Sequence, residues 1–286
     1  MHRCSFRLTF WFGPALLGMF WSGRLVSGFS ATIRPRQIQQ RLDVLSMSAS
    51  SSITATAAAA TTSKSIRCLG LHGSGGNKDE FFKTVKHALG GTYDNCSIVT
   101  IDAPFPKEGG FCWWTMPPGT RSFNADEYIG FEQSANTVLE ALGVPSQQDD
   151  ESGTAVDGTF DLVFGHSQGA ILLSALLATN RIPQHPRLGY ILNGVAWPNP
   201  YSLELGRLQF IGDTNQDVPR ILFLTGIKDT INPPEGAKRV LDCLESAGAT
   251  VQQHIHPAGH SVPVTDEDSM DAIKQWLQQA STVQLS

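Results

Sequence analysis

Residues 160–178 constrain this chain more than any other stretch. An apolar run of strand length, Phe-Asp-Leu-Val-Phe at 160–164, is followed by nine residues, 170–178, that are apolar or small on every side. Between them stands Gly165-His166-Ser167-Gln168-Gly169. A run buried on both faces suits a parallel strand, and a helix without a polar face must be buried. The five residues between must therefore make a sharp strand-to-helix turn with a serine at its apex. A serine is a good nucleophile only when its hydroxyl is exposed, oriented and next to a base. Such a turn provides the exposure, and its flanking glycines leave room for the strand and helix to approach. The helix N-terminus behind Ser167 favours negative charge developing there.

The same alternation runs along the rest of the body. Strands are expected at 66–71, 97–101, 160–164, 188–192, 220–225 and 250–254. Helices are expected at 79–89, 126–142, 170–178, 235–247 and 266–279. Strands that alternate with helices give an α/β protein with a mainly parallel central sheet and helices on both faces. With a nucleophile elbow on its third strand, the expected form is the α/β-hydrolase fold. A Pro- and Gly-bearing excursion at 196–217 and an acidic loop at 145–158 interrupt the pattern.

In that fold the chain order is serine, then a carboxylate, then a histidine. Asp229 directly follows the apolar run Leu222-Phe223-Leu224, where a loop leaves the carboxyl edge of the sheet. Asp213 and Asp217 precede that strand, and Asp242 sits inside a helix. Among His254, His256 and His260, the last lies in the loop Pro257-Ala258-Gly259-His260-Ser261 between the final strand and final helix, where it can reach back to the serine. His260 is the expected base, with His256 as fallback. His166 is read as a packing residue. In this arrangement Asp229 would hold the His260 tautomer while His260 takes the proton of Ser167.

Acyl transfer also requires donors aimed at an oxyanion. The expected pair is the backbone N–H of Gln168 and that of Ser74, with Gly75 next, in the loop His72-Gly73-Ser74-Gly75-Gly76. This loop lacks the spacing of a phosphate-binding glycine motif. The stretch 105–128 carries Phe111, Trp113, Trp114 and Met116. These are candidates for an apolar pocket wall or lid, or equally for aromatics packed under a surface loop.

Charge separates the chain into two parts. Residues 1–64 hold seven basic residues and one acid, Asp43, leaving the body with 14 basic and 25 acidic residues and a net charge of −11. A body this acidic offers no electrostatic footprint for nucleic acid. The five cysteines form no Cys-x-x-Cys pair, so neither a metal site nor a redox motif is expected. Residues 1–28 have a basic start, an apolar run too short to span a bilayer, and small residues behind it. Residues 29–64 are rich in Ser, Thr, Ala and Arg, like a transit peptide. Together they resemble the bipartite plastid presequence of algae with complex plastids. The alternatives are secretion, or a cytoplasmic protein that starts at Met47. The domains are then a presequence at 1–64 and a catalytic body at 65–286.

Several motifs recur in order: Leu69-Gly-Leu-His-Gly-Ser-Gly-Gly-Asn-Lys-Asp-Glu-Phe81, Asp102-Ala-Pro, Trp113-Trp114, Phe164-Gly-His-Ser-Gln-Gly-Ala170, Gly226-x-x-Asp229-x-x-x-Pro-Pro234 and His256-Pro-Ala-Gly-His-Ser-Val-Pro263. Taken together, this body resembles the FSH family of serine hydrolases, including the ovarian-cancer-associated-gene-2-like esterases. The resemblance implies a cofactor-free esterase acting on small alkyl or acyl esters, with Ser167, Asp229 and His260 as the triad. Where many members have Phe, this chain has His166. A thioesterase, or a ligand-binding protein that keeps the fold without turnover, stays open beside it.

Overall fold

The computed structural model describes residues 65–90, 96–144, 160–182, 188–212 and 218–283. These lie in the second of two units into which the chain divides, Ala60–Ser286. The expected presequence at 1–64 and the loop at 145–158 fall outside the described residues, as do Asp213 and Asp217.

In chain order the elements are β1 (Ile66–Leu71), α1 (Lys78–Leu89), β2 (Cys96–Ile101), β3 (Phe105–Lys107), β4 (Gly110–Cys112), α2 (Phe131–Ala141), β5 (Leu162–His166) and α3 (Gln168–Ala178). They continue with β6 (Gly189–Asn193), α4 (Ser202–Arg207), β7 (Arg220–Gly226), α5 (Pro234–Ser246), β8 (Thr250–His256) and α6 (Glu267–Val283). Six strands form one sheet in the order β2-β1-β5-β6-β7-β8, and every neighbouring pair is parallel.

The apolar runs explain this arrangement. All of β6 and the last six residues of β7 are buried, as parallel strands covered on both faces must be. Leu69, Leu71, Val163, Leu192 and Phe223 face one core with α2, α3, α4 and α5. Cys68, Phe164, Ile191, Leu222 and Leu224 face the other, under α1 and α6. The helix α3 is buried along its whole length, which accounts for its lack of a polar face.

The strand order also positions a site. From β1 the chain moves outward to β2, then returns to place β5 on the other side of β1. The loops leaving β1 and β5 therefore diverge at a topological switch point, where α/β sheets bind ligands. That puts the His72–Gly76 loop beside the Ser167 elbow.

Four local readings are revised. The helix expected from 126 begins at Phe131, because Gly130 takes φ +90° and Ile129 exchanges backbone hydrogen bonds with Thr115. The stretch 105–112 forms a small antiparallel hairpin, β3–β4. The excursion after β6 contains a 3₁₀ turn, Asn199–Tyr201, and the short helix α4. The strand β8 also runs two residues further than expected, to His256.

Candidate active site

Ser167 sits at φ +52°, ψ −117°, a conformation that L-residues avoid. Strain of this kind persists only where surrounding structure enforces it. Here the Ser167 N–H donates to Asn193 O at 2.9 Å, and its carbonyl accepts from Ile171 N–H at 2.9 Å. The elbow glycines are steric requirements. A Cβ on Gly165 would lie 2.8 Å from Ala170 N and Cα, and one on Gly169 would lie 2.8 Å from the Leu71 carbonyl carbon. Neither position has space for a side chain.

The three residues expected to meet do so. His260 Nε2 lies 2.7 Å from Ser167 Oγ, and His260 Nδ1 lies 2.7 Å from Asp229 Oδ2. The Asp229 side chain is 2% exposed, and its other oxygen accepts N–H bonds from Ile231 at 2.9 Å and Asn232 at 2.8 Å. A carboxylate held this way accepts from His260 Nδ1–H, which leaves Nε2 free to take the serine proton. The His260 loop comes close because it crosses Gly226, where a Cβ would lie 2.7 Å from Ala258 O.

The other candidates lie elsewhere. His256 is 1% exposed on β8, and its Nδ1 has no partner among the described residues. His254 shares a hydrogen bond with Ser269 Oγ, and Asp242 pairs with Lys238 along α5. His166 lies behind His260, its ring centroid 5.2 Å from that of His260 and 6.3 Å from that of Phe81. Its Nδ1 accepts from Asn193 Nδ2–H at 2.8 Å. Burial, then the nearby His260, holds His166 down to about 3 from its usual 6.5, so this ring is neutral.

Of the two expected backbone donors, Gln168 begins α3 directly after the serine. In the other loop, Gly75 N–H is already bonded to Phe111 O at 2.7 Å and Gly76 N–H to Gly73 O at 3.0 Å. Ser74 N–H is thus the one available in the Ser74–Gly76 turn, with no acceptor among the described residues. The loop is braced by the hairpin. Phe111 N–H donates to Gly76 O at 2.8 Å, and Lys107 Nζ donates to Ser74 Oγ at 2.6 Å.

Trp113 and Trp114 are 0% and 1% exposed and form part of the core. Trp113 Nε1–H donates to His72 O at 2.8 Å, and Trp114 stacks on Tyr128 with centroids 4.2 Å apart. The Gln168 side chain fastens both tryptophans to the elbow, accepting from Trp113 N–H at 2.8 Å and donating to Trp114 O at 3.1 Å. Phe111 and Met116 are half-buried at the margin of this cluster. Sequence reasoning missed His72, Asn193, Gly194 and Asn232 as parts of the site. The available signal was a polar residue closing a buried strand, as Asn193 closes β6.

The described residues contain no cluster of His, Cys, Asp or Glu suited to a metal ion. No helix among them is long and apolar enough to cross a membrane.

A parallel six-stranded sheet with a serine elbow at its switch point defines an α/β-hydrolase. Solved structures of that fold match most of the body. The Bacillus cereus carboxylesterase is 21% identical, covering 77% of this chain and 90% of that one, with a TM-score of 0.52. Esterase PE8 is 19% identical, covering 76% and 94%, with a TM-score of 0.56. The Zea mays acyl-protein thioesterase 2 is 18% identical, covering 77% and 96%, with a TM-score of 0.51. No curated protein sequence matches the chain. Residues 61–272 match the family described as serine hydrolase (FSH1), and the chain belongs to that family. It is a hydrolase.

Proposed function

We propose that this hydrolase cleaves carboxylic esters through an acyl-enzyme on Ser167, with His260 as general base and Asp229 orienting it. The observation that carries this reading is the unbroken relay from Ser167 Oγ through His260 to Asp229, with both links at 2.7 Å. Ser167 Oγ attacks the ester carbonyl carbon while His260 Nε2 takes its proton. The carbonyl oxygen gathers negative charge between the N–H groups of Ser74 and Gln168. Collapse breaks the bond to the alcohol, which leaves with the proton held by His260. Water then attacks the acyl-enzyme, its proton passing to His260, and the carboxylic acid departs as Ser167 Oγ is reprotonated.

The acyl chain is assigned to the side of Phe111, whose backbone pairs with Gly75 and Gly76, and of Met116, half-buried at the margin of the same apolar cluster. A thioester would follow the same steps with a thiol leaving. The maize thioesterase of the same fold is the observation in favour of that second reading.

Rates across p-nitrophenyl esters, acyl-CoA thioesters and anilides, for the wild type and Ser167→Ala, test the proposal. Esters should be cleaved fastest, and Ser167→Ala should lose several powers of ten. Thioesters turned over tenfold faster than esters would favour the second reading. Absence of turnover on every substrate would mean a binding protein that only keeps the fold.

A further inference from the structure

His72 is a deeply buried polar group beside the site, with 1% of its surface exposed. Both of its ring nitrogens are committed, and their partners determine the tautomer. Nε2 lies 3.1 Å from Ala103 N, and a backbone N–H can only donate, so Nε2 accepts. The proton is therefore on Nδ1, which donates to Gly73 O at 2.7 Å. Burial also pushes the His72 pKa down, keeping the ring in this neutral form.

The Gly73 carbonyl belongs to the same peptide unit as the Ser74 N–H. In a trans peptide the C=O and N–H point in opposite directions. Whatever holds the carbonyl toward the buried ring thereby turns the N–H toward the open side, where Ser74 is exposed and Gly73 borders the nucleophile. A Cβ placed on Gly73 would lie 3.1 Å from Ser167 Cβ. Two donors hold that carbonyl: His72 Nδ1–H, and Gly76 N–H at 3.0 Å. The space is fully used. A Cβ on Gly76 would stand 3.1 Å from Gly73 O and 3.2 Å from His72 Nδ1, which accounts for a glycine there.

We propose that His72 is a positioning residue for the oxyanion hole: its Nδ1–H locks the Gly73–Ser74 peptide with the Ser74 N–H facing the reacting carbonyl. This rests on the reading of Ser74 and Gln168 as the oxyanion donors. Loss of the Nδ1–H leaves the carbonyl held by Gly76 N–H alone among the described residues, and the peptide can then rotate. The Ser74 N–H then leaves the site while the Ser167–His260–Asp229 relay stays intact.

Two substitutions separate the roles of the two ring nitrogens. An asparagine amide nitrogen stands close to the place of Nδ1 and can still donate to Gly73 O. A glutamine reaches the place of Nε2, keeps an acceptor for Ala103 N–H, and has nothing to offer Gly73. With p-nitrophenyl esters and the full chain, His72→Gln should lose on the order of 10²-fold in kcat, the scale of one oxyanion donor, with KM nearly unchanged. His72→Asn should stay within about tenfold of wild type. Equal losses in both variants, or none in His72→Gln, would overturn the assignment. A readout that requires no variant to fold is the ¹⁵N NMR signature of His72 in the wild type. Nδ1–H at neutral pH is expected, and Nε2–H would overturn the lock. A wild type that hydrolyses no ester would sink the parent reading together with this one. A wild type that does, with His72→Gln unimpaired, would sink only the role given to His72.

Discussion

Asn232 donates its side-chain N–H to the carbonyl of Gly194 at 2.7 Å, joining the loop after β7 to the loop after β6. Its backbone N–H donates to Asp229 Oδ1, so one residue holds the carboxylate and the neighbouring loop together. Gly194 in turn packs against the His260 ring. It has φ +59°, and a Cβ there would lie 3.2 Å from His260 Cε1 and Nδ1. Asn232→Ala should therefore lower kcat by roughly tenfold or more with KM little changed, since the brace acts on geometry and not on substrate. It should also cost about 1–3 kcal/mol of stability by leaving the Gly194 carbonyl unpaired. Steady-state kinetics and urea unfolding of the same preparation check both. Wild-type kcat in a destabilised variant would confine Asn232 to a structural role.

Gln168 divides its work between backbone and side chain. The backbone N–H, proposed as an oxyanion donor, survives any substitution except proline, whereas the side chain is the only partner of Trp113 N–H and Trp114 O among the described residues. Gln168→Ala should thus destabilise the fold by a few kcal/mol, at roughly 1–3 for each buried group left unpaired. Chemical denaturation measures this directly. An unchanged midpoint would mean the tryptophans find other partners.

The neutral His166 contributes to the loss of stability on the acid side. Above its ordinary value of 6.5 the ring is uncharged whether folded or not, so burial has no pH-linked effect. Below that value the unfolded chain takes up a proton that the folded chain refuses until about 3, so stability falls as pH drops across this window. Each unit is worth about 1.4 kcal/mol. His166→Phe should remove this contribution and lose roughly 1–2 kcal/mol less than wild type between pH 7 and pH 5. His72 and His256, both pushed down by burial, would leave part of the slope in place. Urea titrations at the two pH values decide it, and parallel losses in both proteins would contradict the account.

The elbow and the three relay residues were legible because their chemistry fixes their chain order and their place at strand ends. Ser167 and Asp229 each follow an apolar run that could hardly be anything but a strand, and His260 falls in the loop between the last strand and the last helix. The hairpin β3–β4 was not legible, since strands of three residues are too short to show an alternating pattern. The late start of α2 turned on Gly130, whose left-handed backbone depends on the Thr115–Ile129 pairing far from it in sequence. Asn232 and His72 were missed because their side chains bond backbone atoms, and a backbone partner leaves no residue type for a motif to display. Trp113 and Trp114 fitted a pocket wall and a core equally well until their burial was known.

The presequence reading of residues 1–64 remains a proposal. A fluorescent protein fused to those residues should enter plastids in an alga with complex plastids. A diffuse cytosolic signal would instead support a start at Met47.

The most direct measurement is covalent labelling of the full chain with a fluorophosphonate, followed by peptide mapping of the adduct. An activated serine at the elbow predicts a single adduct on Ser167, lost in Ser167→Ala and strongly slowed in His260→Ala. Labelling that persists in Ser167→Ala, or a wild type that does not react, would contradict it.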